Sequence, residues 1–228
     1  MGLILIGGII GAIAGNRMSR QMRETLMLAN AVSVLFIGIG GVMQKMLAVE
    51  AGGLKTQGTM MIIMSMALGA VAGELLDIDK GMVSLGEWLK MKTRSEGDAS
   101  FVDAFVTASL TVSIGAMAVV GAIEDGIRGD CSVLIAKGVL DFIIIAVMTS
   151  SLGRGAIFSF VPVGILQGTI YFLARVISPL VTPASMDNLS CVGSMLIFCV
   201  GLNLIWPNKI RVANLLPAIF IAAAWSFW

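Results

Sequence analysis

The sequence has no histidine, only three cysteines, and little charge: Asp, Glu, Lys and Arg together make up 13% of 228 residues. A soluble domain carries about 25% charged residues. Here 57% of the residues are hydrophobic and the mean hydropathy is +0.97. A soluble core of this length could not hide so much apolar surface, and lipid is the solvent that accepts it. Missing histidine removes the commonest general base, proton shuttle and nitrogen metal ligand together. Cys131, Cys191 and Cys199 form neither a C-x-x-C pair nor an even framework, so no disulfide and no metal site is expected. Fifteen basic and fourteen acidic residues give a net charge of +1, which points to no nucleic-acid partner.

Enzymes within membranes need a nucleophile with its base, or carboxylates around a metal or phosphate. Only Ser–Lys or carboxylate chemistry is open here, and Lys137 has no evident serine partner in sequence. The expectation is a non-enzyme, with no catalytic residues and no cofactor. The N-terminus is apolar from Gly2 but lacks the positive start and cleavage site of a signal peptide, so it is read as part of the fold.

Apolar runs separated by charge predict an all-α polytopic membrane protein, a single transmembrane domain over 1–228. Eight candidate spans fall at 2–16, 29–48, 58–76, 101–123, 132–152, 155–177, 188–206 and 211–228. The first covers only about 22 Å of a hydrocarbon core near 30 Å. It either spans a thinned bilayer or re-enters, so the count is seven or eight. With the N-terminus outside, the inner loops hold ten of the Lys and Arg residues, among them Arg17, Arg20, Arg94, Arg154 and Arg211; the outer loops hold four, and Lys137 lies within a span. That bias sets the orientation. Between spans, 78–92 places Met82, Leu85, Trp88 and Leu89 on one face and reads as an amphipathic helix on the inner surface; the alternative is a cytosolic helix packed against other loops, though no soluble domain is there to receive it. The polar stretch 93–100 reads as a flexible cytoplasmic linker.

Weak internal repetition relates 28–42, 105–119 and 188–202. The predicted topology runs the last of these opposite to the others, as in transporters with inverted repeats; glycine-rich apolar helices also resemble one another without any duplication. Gly7, Gly11 and Gly15 form a stripe of small residues that suits close helix packing and, if exposed, a homodimer. The fourth span, with Thr107, Thr111, Ser109 and Ser113, is too small and polar all round for lipid. Its hydroxyls either line a pathway or bond back to their own helix.

Ionisable groups inside a bilayer are costly and usually functional. Lys137 and Asp141 lie one turn apart in the fifth span, Asp141 about 13 Å along the axis from Ser132, near mid-bilayer. The pair is either a transport site or a self-contained pair that makes insertion tolerable. Glu124 and Asp125, at the end of the fourth span, are either interfacial acids or partners for Lys137. Glu74 and Asp77 read as a water-exposed helix end. Thr149 to Gly155 breaks the stretch between spans five and six, either as a plain tight turn or as an anion site. Gln167 and Pro162 lie within the sixth span, and Pro217 in the last; such interruptions kink a helix or line a cavity. The candidate solute- or ion-binding residues are Asp141, Lys137, Glu124, Asp125, Gln167 and Thr111.

Val120-Gly-Ala-Ile-Glu-Asp-Gly126, the Lys137/Asp141 span leading into Ser151-Leu-Gly-Arg-Gly-Ala156, and Lys209-Ile-Arg-Val-Ala-Asn-Leu-Leu-Pro217 resemble the bacterial inner-membrane family called domain of unknown function 554. Gly73-Glu-Leu-Leu-Asp77 and Leu85-Gly-Glu-Trp-Leu89 are similar to its inner-surface connection. The resemblance covers essentially the whole chain and implies a multi-pass protein of the bacterial inner membrane, loosely labelled a transporter, with no substrate and no established site residues. The expectation is a transporter or channel-like protein for a small polar solute or ion, with the lipid bilayer as its other partner. The alternative is a structural or regulatory membrane protein acting through partner helices.

Overall fold

Lipid offers no hydrogen bonds, so an apolar segment must pair its backbone groups internally, and the apolar runs become helices. The computed structural model describes residues 1–50, 53–113, 118, 121–122, 125–126, 129–177, 179, 182–207 and 209–227. Among them the α-helices are α1 (Gly2–Asn16), α2 (Arg20–Met46), α3 (Thr59–Leu76), α4 (Ile78–Lys92), α5 (Phe101–Ser113), α6 (Ser132–Leu152), α7 (Phe160–Ile177), α8 (Pro183–Ile205) and α9 (Pro217–Ala224). Short 3₁₀ segments at Arg154–Ser159 and Val212–Leu215 precede α7 and α9. Among the described residues, five stretches are long and apolar enough to cross a membrane: Arg20–Met46, Thr59–Leu76, Ser132–Leu152, Arg154–Leu173 and Pro183–Ile205. Gly2–Gly15, Phe101–Ser113 and Val212–Phe227 are apolar but shorter.

The all-α expectation meets one exception, an antiparallel hairpin in which β1 (Leu47–Glu50) pairs with β2 (Gly53–Thr56). Two helices begin earlier than hydropathy suggests. At α2 the Ser19 side chain accepts from the Met22 amide at 3.2 Å, so the polar turn with Arg20 and Glu24 is already helical. At α8, Thr182 and Ser185 form a reciprocal cap, with Pro183 in the first turn. Pro162 and Pro217 are not mid-helix kinks. Each sits in the first turn of the helix that follows a 3₁₀ segment, where a missing amide costs no hydrogen bond.

Small residues set the helix pairs. Gly7, Gly11 and Gly15 are buried against Phe142, Ala146 and Ser150 of α6, so close that an added methyl would overlap backbone. Both series ascend, so α1 and α6 run parallel. The stripe expected to be exposed for a second copy is therefore filled within the chain. Gly38 and Gly41 lie on Phe198 and Ser194, while Gly201 lies on Leu35, an antiparallel pairing of α2 with α8. Lys45 and Asp187 close that pair at the hairpin end with an ion pair at 2.6 Å. Gly69 and Gly73 receive Ala218 and Asn214, pairing α3 antiparallel with α9. Helix α5 is enclosed by protein: Phe101, Ala104, Phe105 and Ala108 to Val112 are all buried, as expected for a helix too polar for lipid.

Candidate functional site

On α6 the row Lys137, Asp141, Ile145, Thr149 advances one turn at a time, and all four are buried. The Lys137 ammonium donates to the Asp141 carboxylate and to the carbonyl oxygen of Val112 on α5 at 2.8 Å. The pair is thus enclosed between α5 and α6, each side chain 8% exposed. Of the other expected site residues, Thr111 is buried and its hydroxyl donates to the Thr107 carbonyl at 2.8 Å, the back-bonding alternative. Asp125 is half-buried, and its backbone carbonyl accepts from the Gly129 amide at 2.9 Å. Gln167 is half-buried on α7, away from the cavity described below. Glu124 lies outside the described residues.

Where the same row of α6 ends, a cavity of about 700 Å³ opens at the end of the molecule opposite the hairpin. Helix α5 contributes Asp103 and Thr107, α6 contributes Thr149, Ser150 and Ser151, and the turn after α6 contributes Arg154. Asn203 and Arg211 close it from α8 and the turn beyond, and Asp79 and Asp98 flank it from the two ends of the α4 connection. Thr149 lies eight residues past Asp141, about 12 Å along the helix. Between them Ile145 packs with Ala108, Val112 and Met148 in one buried apolar cluster. Cavity and ion pair thus share a helix face and are parted by an apolar layer.

The cavity exists because of the 3₁₀ turn. Gly153 ends α6 with φ 124° and ψ 175°, a conformation essentially confined to glycine. Gly155 then lies so close to the Phe101 carbonyl that no side chain fits. Those two residues turn the chain sharply and dock it on the start of α5. At the neighbouring turn, Asn203 donates to the Ile210 carbonyl at 2.6 Å and accepts from the Ile210 amide at 3.0 Å. Arg211 pairs with Glu74 at 2.8 Å, and Asn214, 1% exposed, donates to the same carboxylate at 3.0 Å. Asn214 also accepts from the Asp79 amide at 2.7 Å, capping α4 from outside its own sequence. Glu74 is exposed, as read from sequence, and it also ties α3 to this turn; Asp77, read with it as water-exposed, is half-buried, with one carboxylate oxygen enclosed.

The polar inventory of the wall is uneven. Ser150 and Ser151 donate to the Val147 carbonyl at 2.8 and 2.9 Å, which leaves their oxygen lone pairs for the cavity. Asp98 accepts from the amide and hydroxyl of Ser100 at 3.1 and 2.8 Å. Thr149 is 3% exposed, and its hydroxyl has no partner among the described residues. Arg154 and Asp103 are exposed on the wall, and among the described residues neither enters an ion pair. Such a wall can bind a small polar solute through both donors and acceptors. Sequence reasoning noted Thr149 to Gly155 as a break between spans. It gave no signal for Asp103, Asn203 or Asp79, which join the site only through packing.

Helices of this length and apolarity, a buried ion pair and a polar cavity at one end define a multi-helix membrane protein. The chain belongs to the family described as protein of unknown function (DUF554), whose model matches residues 1–227. It is 30% identical over 233 residues to the uncharacterized protein YqgA of Escherichia coli (strain K12), covering 99% of this chain and 94% of that one. It is 26% identical over 219 residues to the uncharacterized membrane protein YdfK of Bacillus subtilis (strain 168), covering 96% of this chain and 90% of that one. No solved structure matches it.

Proposed function

We propose that this protein moves a small polar solute or ion across the bacterial inner membrane. The carrying observation is the polar cavity at the end of α6, aligned on one helix face with the buried Lys137–Asp141 pair. Solute enters the cavity from the cytoplasmic side, and the apolar layer around Ile145 is the barrier that closes in this state. Asp141 and Lys137 form the intramembrane site beyond it. A charge pair at this depth is expensive unless water or solute reaches it in part of the cycle.

The topology supports this reading. Eight spans with the N-terminus outside put Arg17, Arg154 and Arg211 together on the inside, and the parallel packing of α1 on α6 gives the first helix the same direction as a full span. Segments 28–42 and 188–202, similar in sequence, lie in α2 and α8, which pack antiparallel. That is the arrangement of an inverted repeat. In this reading helix α4 lies along the inner membrane surface, with Trp88 52% exposed, while Leu85 and Leu89 of the expected apolar face pack on Phe101 and Phe105 of α5 instead. A structural role through partner helices loses its main support, because α6 already covers the glycine stripe. Flux of ions, amino acids and small acids into liposomes holding the purified protein is the test. Flux abolished in Asp141→Asn is expected; no flux or binding of any of them in folded protein would overturn the reading. Cysteines placed near Arg94 should be labelled from the cytoplasmic side alone.

A further inference from the structure

The unpaired charges in the cavity carry a more specific reading. Arg154 stands at the first position of its 3₁₀ segment, Gly155 beside it is locked on the Phe101 carbonyl, and Asp103 follows in the first turn of α5. The two elements are pressed together, and both charged residues line one cavity. Arg154 and Asp103 nevertheless form no ion pair with each other or with any described residue. Arg211, the other cation on the wall, is already paired with Glu74. The wall therefore offers one free guanidinium, with a planar fork of donors. It offers three carboxylates as well, Asp103, Asp79 and Asp98, none of them in an ion pair among the described residues; Asp103 shares the wall with the lone pairs of Ser150 and Ser151, whose protons are committed to Val147. The Thr149 hydroxyl, 3% exposed and, like those of Ser109, Ser113 and Ser159, without a partner among the described residues, differs from these three in that its residue lines the cavity, and it is a buried polar group that calls for an explanation.

We propose that the cavity binds a small amino-acid-like zwitterion, its carboxylate on Arg154 and its ammonium on Asp103 with the Ser150 and Ser151 oxygens, the Thr149 hydroxyl serving as the buried contact. A simple anion would face Asp103, Asp79 and Asp98 with nothing to offer them, and a simple cation would leave Arg154 unanswered. A volume of about 700 Å³ lies within the range of small-molecule pockets. The proposal names the solute class of the transport reading and rests on that reading for its place in a transport cycle.

The test uses the full chain in lipid nanodiscs. Its thermal unfolding is followed with each protein amino acid at millimolar concentration, and with ethanolamine and propionate as half-ligands. At least one amino acid should raise the midpoint by several degrees through linkage, and neither half-ligand should do so. Arg154→Ala and Asp103→Asn should each lose the shift while leaving the unliganded midpoint in place. Thr149→Val, which keeps the side chain's shape, should weaken the shift and serves as the control should either charge variant fail to fold. The proposal falls if no amino acid shifts the midpoint, if a half-ligand shifts it as far, or if the shift survives in the variants. Liposome flux separates the two readings: flux of another solute without a zwitterion shift leaves transport standing and removes this site. A shift without flux of the bound amino acid keeps the site and removes transport.

Discussion

The Lys137–Asp141 pair and the cavity about 12 Å further along α6 treat polar groups in opposite ways. In the pair, opposite charges neutralise each other, a backbone carbonyl accepts a further hydrogen bond from the ammonium, and protein encloses both. In the cavity, Arg154 and Asp103 stay apart and the Thr149 hydroxyl is left over. Low dielectric explains the first arrangement, since an unpaired charge there would be far too costly. Water at the cavity mouth permits the second. A closed pair is suited to being opened in a cycle or to holding two helices together; a wall of unpaired polar groups is suited to receiving something. Under the transport reading, the difference gives first contact with solute to the cavity, although the pair is the more conspicuous in sequence.

The strongest way to break this contrast is to unpair the pair. Lys137→Ala should destabilise the protein by about 3–5 kcal/mol, the cost of a buried carboxylate left alone, measured as unfolding in detergent or as lost monodisperse yield. Lys137→Leu with Asp141→Leu should recover most of that stability. Under the transport reading the double variant folds and carries no flux. A fully active double variant would reduce the pair to a structural brace.

Next in size is the turn that builds the cavity. Gly155→Ala puts a methyl against the Phe101 carbonyl, an overpacking that should cost about 1–3 kcal/mol. It should also change the spacing of Arg154 from Asp103, so its loss of ligand response should exceed its loss of thermal stability. Equal losses would mean the turn is only a packing element.

These two regions also mark what was readable in the chain. Hydropathy and the i,i+4 spacing are local, so the apolar runs and the Lys137–Asp141 pair followed from neighbouring residues alone. The cavity draws on 79, 98, 103, 149–154 and 203–211, which meet only after the 3₁₀ turns dock on α5 and α3. No local period announces a 3₁₀ turn inside an apolar run, and so Pro162 and Pro217 looked like interruptions within spans. The Gly7, Gly11, Gly15 stripe was legible as a packing surface, but not its partner, because a smooth groove accepts a neighbour from its own chain or from another. The hairpin at 47–56 is only four residues a side, too short for its alternation to stand out beside the apolar end of α2.

Smaller effects sharpen the comparison at the rim. Glu74→Gln removes the charge opposite Arg211, but both side chains are more than half exposed, 52% and 60%, so solvent screening should keep the stability loss small. Its more telling consequence is that it frees Arg211 as a second cation on the cavity wall. Affinity for a bare carboxylate such as propionate should rise in this variant, measured by the same midpoint shift. No change would mean that Arg211 does not reach the solute.

The smallest effect on stability is also the one whose sign separates the two regions. Ser150→Ala removes a hydroxyl that donates to Val147 at 2.8 Å, and should cost up to about 1 kcal/mol. Thr149→Val removes a hydroxyl that bonds nothing among the described residues at a position 3% exposed, and puts a methyl in nearly the same volume. Desolvation of the Thr149 oxygen is not repaid by any protein group, so its removal should leave stability unchanged or raise it by up to about 1 kcal/mol. A stabilising Thr149→Val that also weakens the ligand response would show a polar atom kept buried at a cost to the fold and used by a solute. A destabilising one, with the ligand response intact, would place that hydroxyl among the groups that hold the protein together, and the cavity would then resemble the pair after all.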